Sequence, residues 1–174
     1  AVINVLKNSS LSLIDGKRVK EVEKKVSNIF GKKYGLMVNS GSSANLLALS
    51  SFKFKKGSEI ITPNLTFSTT VAPIYQLGLI PHFIGVEENK FVSDTSQIEK
   101  CINKKTVGLM IPNLLGNIAD WKQIYQIAKK YNLKIIEDAA QGMGSYFNGL
   151  HAGTFSEVAA FSAHPLKNLN AFGD

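Results

Sequence analysis

The chain has 174 residues, of which 44% are hydrophobic and 19% charged, with a formal net charge of +7. These proportions belong to an ordinary globular protein and set aside disordered and fibrous classes. A domain of about 150 residues buries about 70% of the surface its unfolded chain exposes, so the length allows one full core.

Further exclusions follow from the same inventory. No apolar run approaches the ~20 residues that span a bilayer, so no membrane segment is expected. Ala1 to Leu6 is apolar but lacks the basic flank of a signal peptide. Cys101 is the one cysteine, which excludes an internal disulfide and a multi-cysteine zinc site, and a half-buried structural thiol is its expected state. This usage fits a reducing, cytoplasmic compartment. The lysines come with no nucleic-acid-binding motif and no basic-aromatic stripe, so they read as solvated faces and nucleic acid is not an expected partner. A mildly positive surface would help to attract an anionic small substrate.

In chain order, Val19 to Phe30 has helical apolar spacing at Val19, Val22, Val26, Ile29 and Phe30. Tyr34 to Val38 reads as a strand, residues 39–43 as a polar loop and Ala44 to Leu49 as a helix. Glu59 to Thr62 is the next strand, closed by Pro63-Asn64. Phe67 to Leu77 has a helical pattern despite Pro73, which would sit near a turn or kink the helix. A strand over Leu79 to Val86, a helix over Thr95 to Ile102 and a strand over Val107 to Ile111 follow. Ile118 to Tyr131 is the clearest helix. Leu133 to Ile136 reads as a buried strand ending in Glu137-Asp138, then a hairpin around Phe147-Asn148-Gly149 and a last strand near Val158 to Phe161. This alternation predicts an α/β fold with a mostly parallel central sheet and helices on both faces. In such folds ligands bind beyond the carboxyl ends of the strands.

Four loops there are chemically suggestive. Ser40-Gly41-Ser42-Ser43-Ala44 precedes a helix, where free N–H groups and the helix dipole suit a phosphate; a plain serine cap is the alternative. Pro63-Asn64-Leu65-Thr66-Phe67-Ser68-Thr69-Thr70 offers an aromatic that could stack on a flat heterocycle or simply serve the core. In Ile135-Ile136-Glu137-Asp138-Ala139-Ala140-Gln141, an acid at the sheet's rim needs a cationic partner if buried. A protonated pyridine nitrogen would be one; a nearby lysine or a helix cap are the alternatives. Phe161-Ser162-Ala163-His164-Pro165-Leu166-Lys167-Asn168-Leu169 places a lysine behind a stiffening proline. His82, His151 and His164 have no metal-ligand spacing, so no metal is expected, and no dinucleotide or Walker loop follows a strand. Phosphate loop, aromatic, acid and lysine are the four supports that pyridoxal phosphate needs.

These segments together resemble the DegT/DnrJ/StrS family of nucleotide-sugar aminotransferases, pyridoxal-phosphate (PLP) enzymes of the aspartate-aminotransferase fold type I. The resemblance runs from Gly16 to the end, through Val38-Asn39-Ser40-Gly41-Ser42-Ser43-Ala44, Thr62-Pro63-Asn64-Leu65-Thr66-Phe67, Ile136-Glu137-Asp138-Ala139-Ala140-Gln141 and the lysine loop. It implies that Ser42 and Ser43, assisted by Ser162, bind the cofactor phosphate. Phe67 would cover one ring face, Asp138 would pair with the pyridine nitrogen, and Gln141 would lie near the phenolic oxygen. Lys167 would hold the cofactor and then move a proton as acid and base.

The implied reaction takes an amino group from an amino acid, usually glutamate, to a keto group of a nucleotide-linked sugar, with a lean to the C-3 position from Lys167 to Asp174. The family's sugar 3-dehydratases share the segment Gly41 to Ala48 and Leu115-Gly116-Asn117, but typically carry histidine where this chain has Lys167. A dehydratase, or a non-catalytic cofactor-binding remnant, are the alternatives. The family pattern also implies that residues 1–174 are a truncated PLP-binding major domain, with the small carboxy-terminal domain absent, of an enzyme that works as a homodimer.

Overall fold

The structure is a computed structural model describing residues 2–8 and 16–171. The chain divides into two compact units, Ala1–Met37 and Val38–Asp174.

The first unit holds helices α1 (Val2–Lys7) and α2 (Lys17–Ile29). Within α2, Arg18 and Glu21 form an exposed ion pair of 2.8 Å one turn apart. The strand expected over 34–38 does not form. Its backbone runs instead along α2: the Met37 N–H donates to Glu23 Oε1 at 2.8 Å, and a Cβ on Gly35 would lie 2.5 Å from the Glu23 carbonyl oxygen. With that approach taken by the helix, Tyr34 and Leu36 stay 77% and 74% exposed, and their apolar run pairs with no strand.

The second unit runs α3 (Gly41–Ser50), β1 (Glu59–Pro63), α4 (Ser68–Gln76), β2 (Ile80–Ile84), α5 (Ile98–Cys101), β3 (Thr106–Pro112), α6 (Trp121–Tyr131), β4 (Lys134–Asp138), a hairpin of β5 (Tyr146–Phe147) and β6 (Leu150–His151), and β7 (Val158–Ala160). Five strands form one parallel sheet in the order β2-β1-β3-β4-β7, and the hairpin is a separate antiparallel pair. The chain is therefore α/β, as its alternation predicts. The hairpin turns on Asn148 and Gly149, at φ 50° and 79°, a left-handed pair that Asn-Gly accommodates at low cost.

The strands alternate their side chains between two cores. Ile61, Leu109, Ile111 and Ile135 point to one face with Ile98, Trp121, Ile124 and Ile127. Ile60, Met110 and Ile136 point to the other with Ala48, Leu49 and Ile74 of α3 and α4. Successive residues of a strand face opposite ways, which explains this division and sets up the next one. Glu137 and Asp138 are neighbours at the end of β4, so they project to opposite faces. Their chemistry differs accordingly.

Some boundaries differ from the sequence pattern for local reasons. Helix α3 starts at Gly41 rather than Ala44, because Ser40 caps it: its Oγ accepts the Ser43 N–H at 3.1 Å. The expected helix over 95–102 is a 3-10 turn (Thr95–Gln97) followed by the single turn α5. Cys101 is partly buried and packs against the first core. Helix α6 begins only at Trp121, where Asp120 accepts the Gln123 N–H at 3.1 Å. Among the described residues no helix is long and apolar enough to cross a membrane.

Candidate active site

The carboxyl ends of β1, β3, β4 and β7 and the first turn of α3 surround a cavity of about 240 Å³. Ser42, Phe67, Asp138, Gln141, Ser162 and Lys167 all line it, drawn from four separate stretches of the sequence. Ser43 does not line it. It lies one residue further along α3, with its N–H bonded to Ser40 and its Oγ accepting from Ser40 Oγ at 3.2 Å.

The α3 terminus packs tightly against the β7 loop. A Cβ on Gly41 would stand 2.9 Å from Ser162 Cβ and 3.3 Å from its Oγ, so only glycine allows this approach. Ser162 is buried, and its Oγ accepts the His164 N–H at 3.3 Å. Two hydroxyls, Ser42 and Ser162, therefore line the cavity beside a helix amino terminus, whose dipole suits an anion.

Lys167 is placed by a loop folded on itself. Its N–H donates to the His164 carbonyl at 2.8 Å, Asn170 N–H donates to the Lys167 carbonyl at 2.9 Å, and Asn168 Nδ2 donates to Met143 O at 2.8 Å. His164, which also lines the cavity, accepts the Leu166 N–H on Nδ1 at 3.2 Å. The Lys167 ammonium sits 5.7 Å from the centroid of the Phe67 ring, within cation–π range. Phe67 is 60% exposed, so it is not the core phenylalanine that an isolated Phe most often is.

Asp138 is the last residue of β4 and is buried. Its Oδ2 accepts Asn45 Nδ2 at 2.8 Å and Thr70 Oγ1 at 2.6 Å, and Thr70 in turn accepts Thr66 Oγ1 at 2.9 Å. Its Oδ1 accepts only the Ala140 N–H, at 3.2 Å. Among the described residues, neither the lysine nor the helix cap weighed as alternatives is its partner; all three donors are neutral. A buried carboxylate supplied only with neutral donors is electrostatically incomplete, and a flat ring with a protonated nitrogen in the cavity would complete it. By this test the residues present fit pyridoxal phosphate.

Glu137 serves the opposite face. It is fully buried; Oε1 accepts Asn113 Nδ2 at 2.7 Å and the Gly153 N–H at 2.6 Å, and Oε2 accepts the Phe155 N–H at 3.3 Å. It thereby ties Asn113, a cavity residue, to the chain after the hairpin. Gln141 Oε1 accepts the Leu115 N–H at 2.6 Å.

Asn45, Thr70, Asn113 and Glu137 carry no weight in the sequence reading. Asn45 leaves one trace: it is a polar residue of modest helix propensity on the buried side of a helix otherwise built, after Gly41, of Ala, Leu and Ser.

The whole chain, residues 1–174, matches the DegT/DnrJ/EryC1/StrS aminotransferase family. The chain belongs to this family. Its relatives include the UDP-N-acetyl-3-dehydro-alpha-D-glucosamine 3-aminotransferase of Acidithiobacillus ferrooxidans, 34% identical over 163 residues, covering 94% of this chain and 44% of the relative. GDP-4-keto-6-deoxy-D-mannose 3-dehydratase is matched in Yersinia pseudotuberculosis at 37% identity over 154 residues, covering 85% of this chain and 39% of the relative. The same dehydratase from E. coli, solved with bound hydrated PLP, superposes with a TM-score of 0.86 at 32% identity, over 95% of this chain and 44% of that one. The fold is thus that of fold-type I PLP enzymes. The chain spans about two-fifths of the length of the curated relatives it matches.

Proposed function

We propose that this chain is the PLP-binding major domain of an aminotransferase that moves an amino group from an amino acid, glutamate by preference, to the keto group of a nucleotide-linked sugar, with C-3 as the favoured position. The observation that carries this reading is the meeting of Lys167, Phe67 and Asp138 around one cavity with an anion-suited helix terminus at its edge.

When bound, the cofactor supplies an electron sink that makes a carbon–hydrogen bond beside nitrogen acidic. The chain's own residues do the rest. Ser42 and Ser162 hydroxyls and the first turn of α3 would hold the phosphate, with Ser43 behind them tying that turn to Ser40. Phe67 offers its exposed face to the ring. Asp138, through its less occupied Oδ1, holds a proton on the ring nitrogen. Gln141 is fixed through Oε1, so its Nε2 is the group left to donate to the ring oxygen. Lys167 Nζ is the amine that would hold the cofactor at its aldehyde, with loss of water, and the same amine, when free, would serve as the base and acid that moves the proton at the reacting carbon.

Lys167 also favours transamination over dehydration, given the histidine that the family's 3-dehydratases typically carry there. The exposed apolar side chain of Leu166, at 88% on the cavity's rim, supports a site covered by a second copy, in a homodimer, and the single Cys101 fits a cytoplasmic location.

The test is borohydride reduction of the PLP-loaded full chain, followed by peptide mapping. Attachment to Lys167, and 2-oxoglutarate released from glutamate with an amino sugar nucleotide formed, are expected. No attachment at Lys167 overturns the reading; a deoxy rather than an amino product would establish the dehydratase instead.

A further inference from the structure

Pro73 lies inside α4, where a proline removes one helical hydrogen bond. The acceptor it leaves without its i→i−4 donor is the carbonyl of Thr69. That carbonyl is taken by Asn45 Nδ2, at 3.3 Å. The other hydrogen of the same nitrogen goes to Asp138 Oδ2, at 2.8 Å. Asn45 is buried, and its Oδ1 has no partner. Turning the amide over would set that oxygen against two acceptors, so the paired orientation is the one the surroundings dictate.

We propose that Asn45, held between the carbonyl freed by Pro73 and the Asp138 carboxylate, is a positioning residue that aims Oδ1 of Asp138 at the nitrogen of the cofactor ring. This rests on the functional reading above. With Asn45 and Thr70 both on Oδ2, that oxygen's in-plane lone pairs are filled. Oδ1, with one longer bond, is the oxygen left to meet a ring N–H. The proline is thus part of the site although it touches nothing in the cavity: by withholding an N–H it keeps Asn45 bridged between α4 and β4.

The experiment compares wild type, Asn45→Ala and Pro73→Ala in the full chain. It reads the Kd for PLP and the 15N chemical shift of PLP labelled at the ring nitrogen, with circular dichroism as the check on folding. Pro73→Ala restores an N–H that competes for the Thr69 carbonyl and suits the helix better, so it is expected to melt no lower than wild type. It should nonetheless weaken PLP binding roughly 2- to 10-fold, and Asn45→Ala roughly 10- to 100-fold. In both, the ring 15N signal should move toward the unprotonated value. A purely structural role for Pro73 would leave that signal in place. Folded Pro73→Ala with wild-type affinity and an unchanged 15N shift overturns the inference, and it decides the matter even if Asn45→Ala does not fold. Failure of the wild type itself to bind PLP overturns the functional reading beneath.

Discussion

The backbone N–H of Leu115 donates to Oε1 of Gln141 at 2.6 Å, from a residue held at φ 57° and ψ 20°. A leucine in this left-handed conformation is strained by about 1–2 kcal/mol. The bond fixes which end of the Gln141 amide faces away from the cavity. Gln141→Glu still accepts from Leu115 but replaces the only donor with a second carboxylate oxygen. Its PLP affinity is expected to fall by roughly tenfold or more, with little change in melting temperature. Fluorescence titration of PLP against both proteins checks this.

Gly41→Ala tests the approach of α3 to the β7 loop. The new Cβ would stand 2.9 Å from the Ser162 Cβ, which is not the loose end of a side chain, so backbone must shift. Affinity for PLP, and for inorganic phosphate as a weaker probe of the same terminus, is expected to fall together. A loss of PLP affinity with phosphate binding intact would place the effect elsewhere.

Glu137→Gln addresses stability rather than chemistry. The amide can still accept from Asn113 and Gly153, but its NH₂ then faces the Phe155 N–H, donor against donor. A destabilisation of about 1–3 kcal/mol is expected by urea unfolding.

Asp94 gives a pH dependence. Its carboxylate accepts Ser96 Oγ at 2.6 Å, Gln97 Nε2 at 2.7 Å and the Ser96 N–H at 3.0 Å, and the Ser96 hydroxyl bond foremost holds its carboxyl below the ordinary value. A folded value below the unfolded one stabilises above the unfolded pKa of about 3.9, and that contribution is lost as pH falls through the folded value. Asp94→Asn, an equally good cap by type, lacks this titration. The stability difference between wild type and Asp94→Asn is expected to hold from neutral pH to about 5 and to shrink below about 4. Parallel denaturation curves across that range check it.

The sequence pattern made the layers legible because the central strands β1, β3 and β4 are buried on both faces. Runs such as Leu109-Met110-Ile111 and Ile135-Ile136 fill two cores at once. Asp138 stood out because it falls at a strand end in a parallel fold, and Lys167, in the loop beyond β7, because it shares the chain with the phosphate loop, the aromatic and the acid. Asn45 and Thr70 were not, since their meaning lies in a carboxylate 93 and 68 residues away. Glu137 was hidden for a different reason: only the strand's alternation separates it from its neighbour, and nothing in Glu-Asp says which acid faces the ligand. The absent strand at 34–38 reflects backbone geometry at Gly35 and Met37 that no periodicity encodes.

The strand order has a consequence for how the molecule is made. β1 pairs with β2 and β3, and β3 with β4, each successive strand following a helix, whereas β4 pairs with β7 across the hairpin. On the ribosome, the central strand β3 cannot gain both neighbours until residue 138 has emerged, and β4 waits for residue 160. Parallel pairings of this range form slowly and leave apolar surface exposed meanwhile. Among the described residues every strand precedes Lys167, so the nascent chain would gain its lysine only after the strands that frame the cavity have emerged. Cofactor supplied during synthesis would therefore act as a late fastener on the sheet, and its scarcity would be felt first as aggregation of incomplete chains.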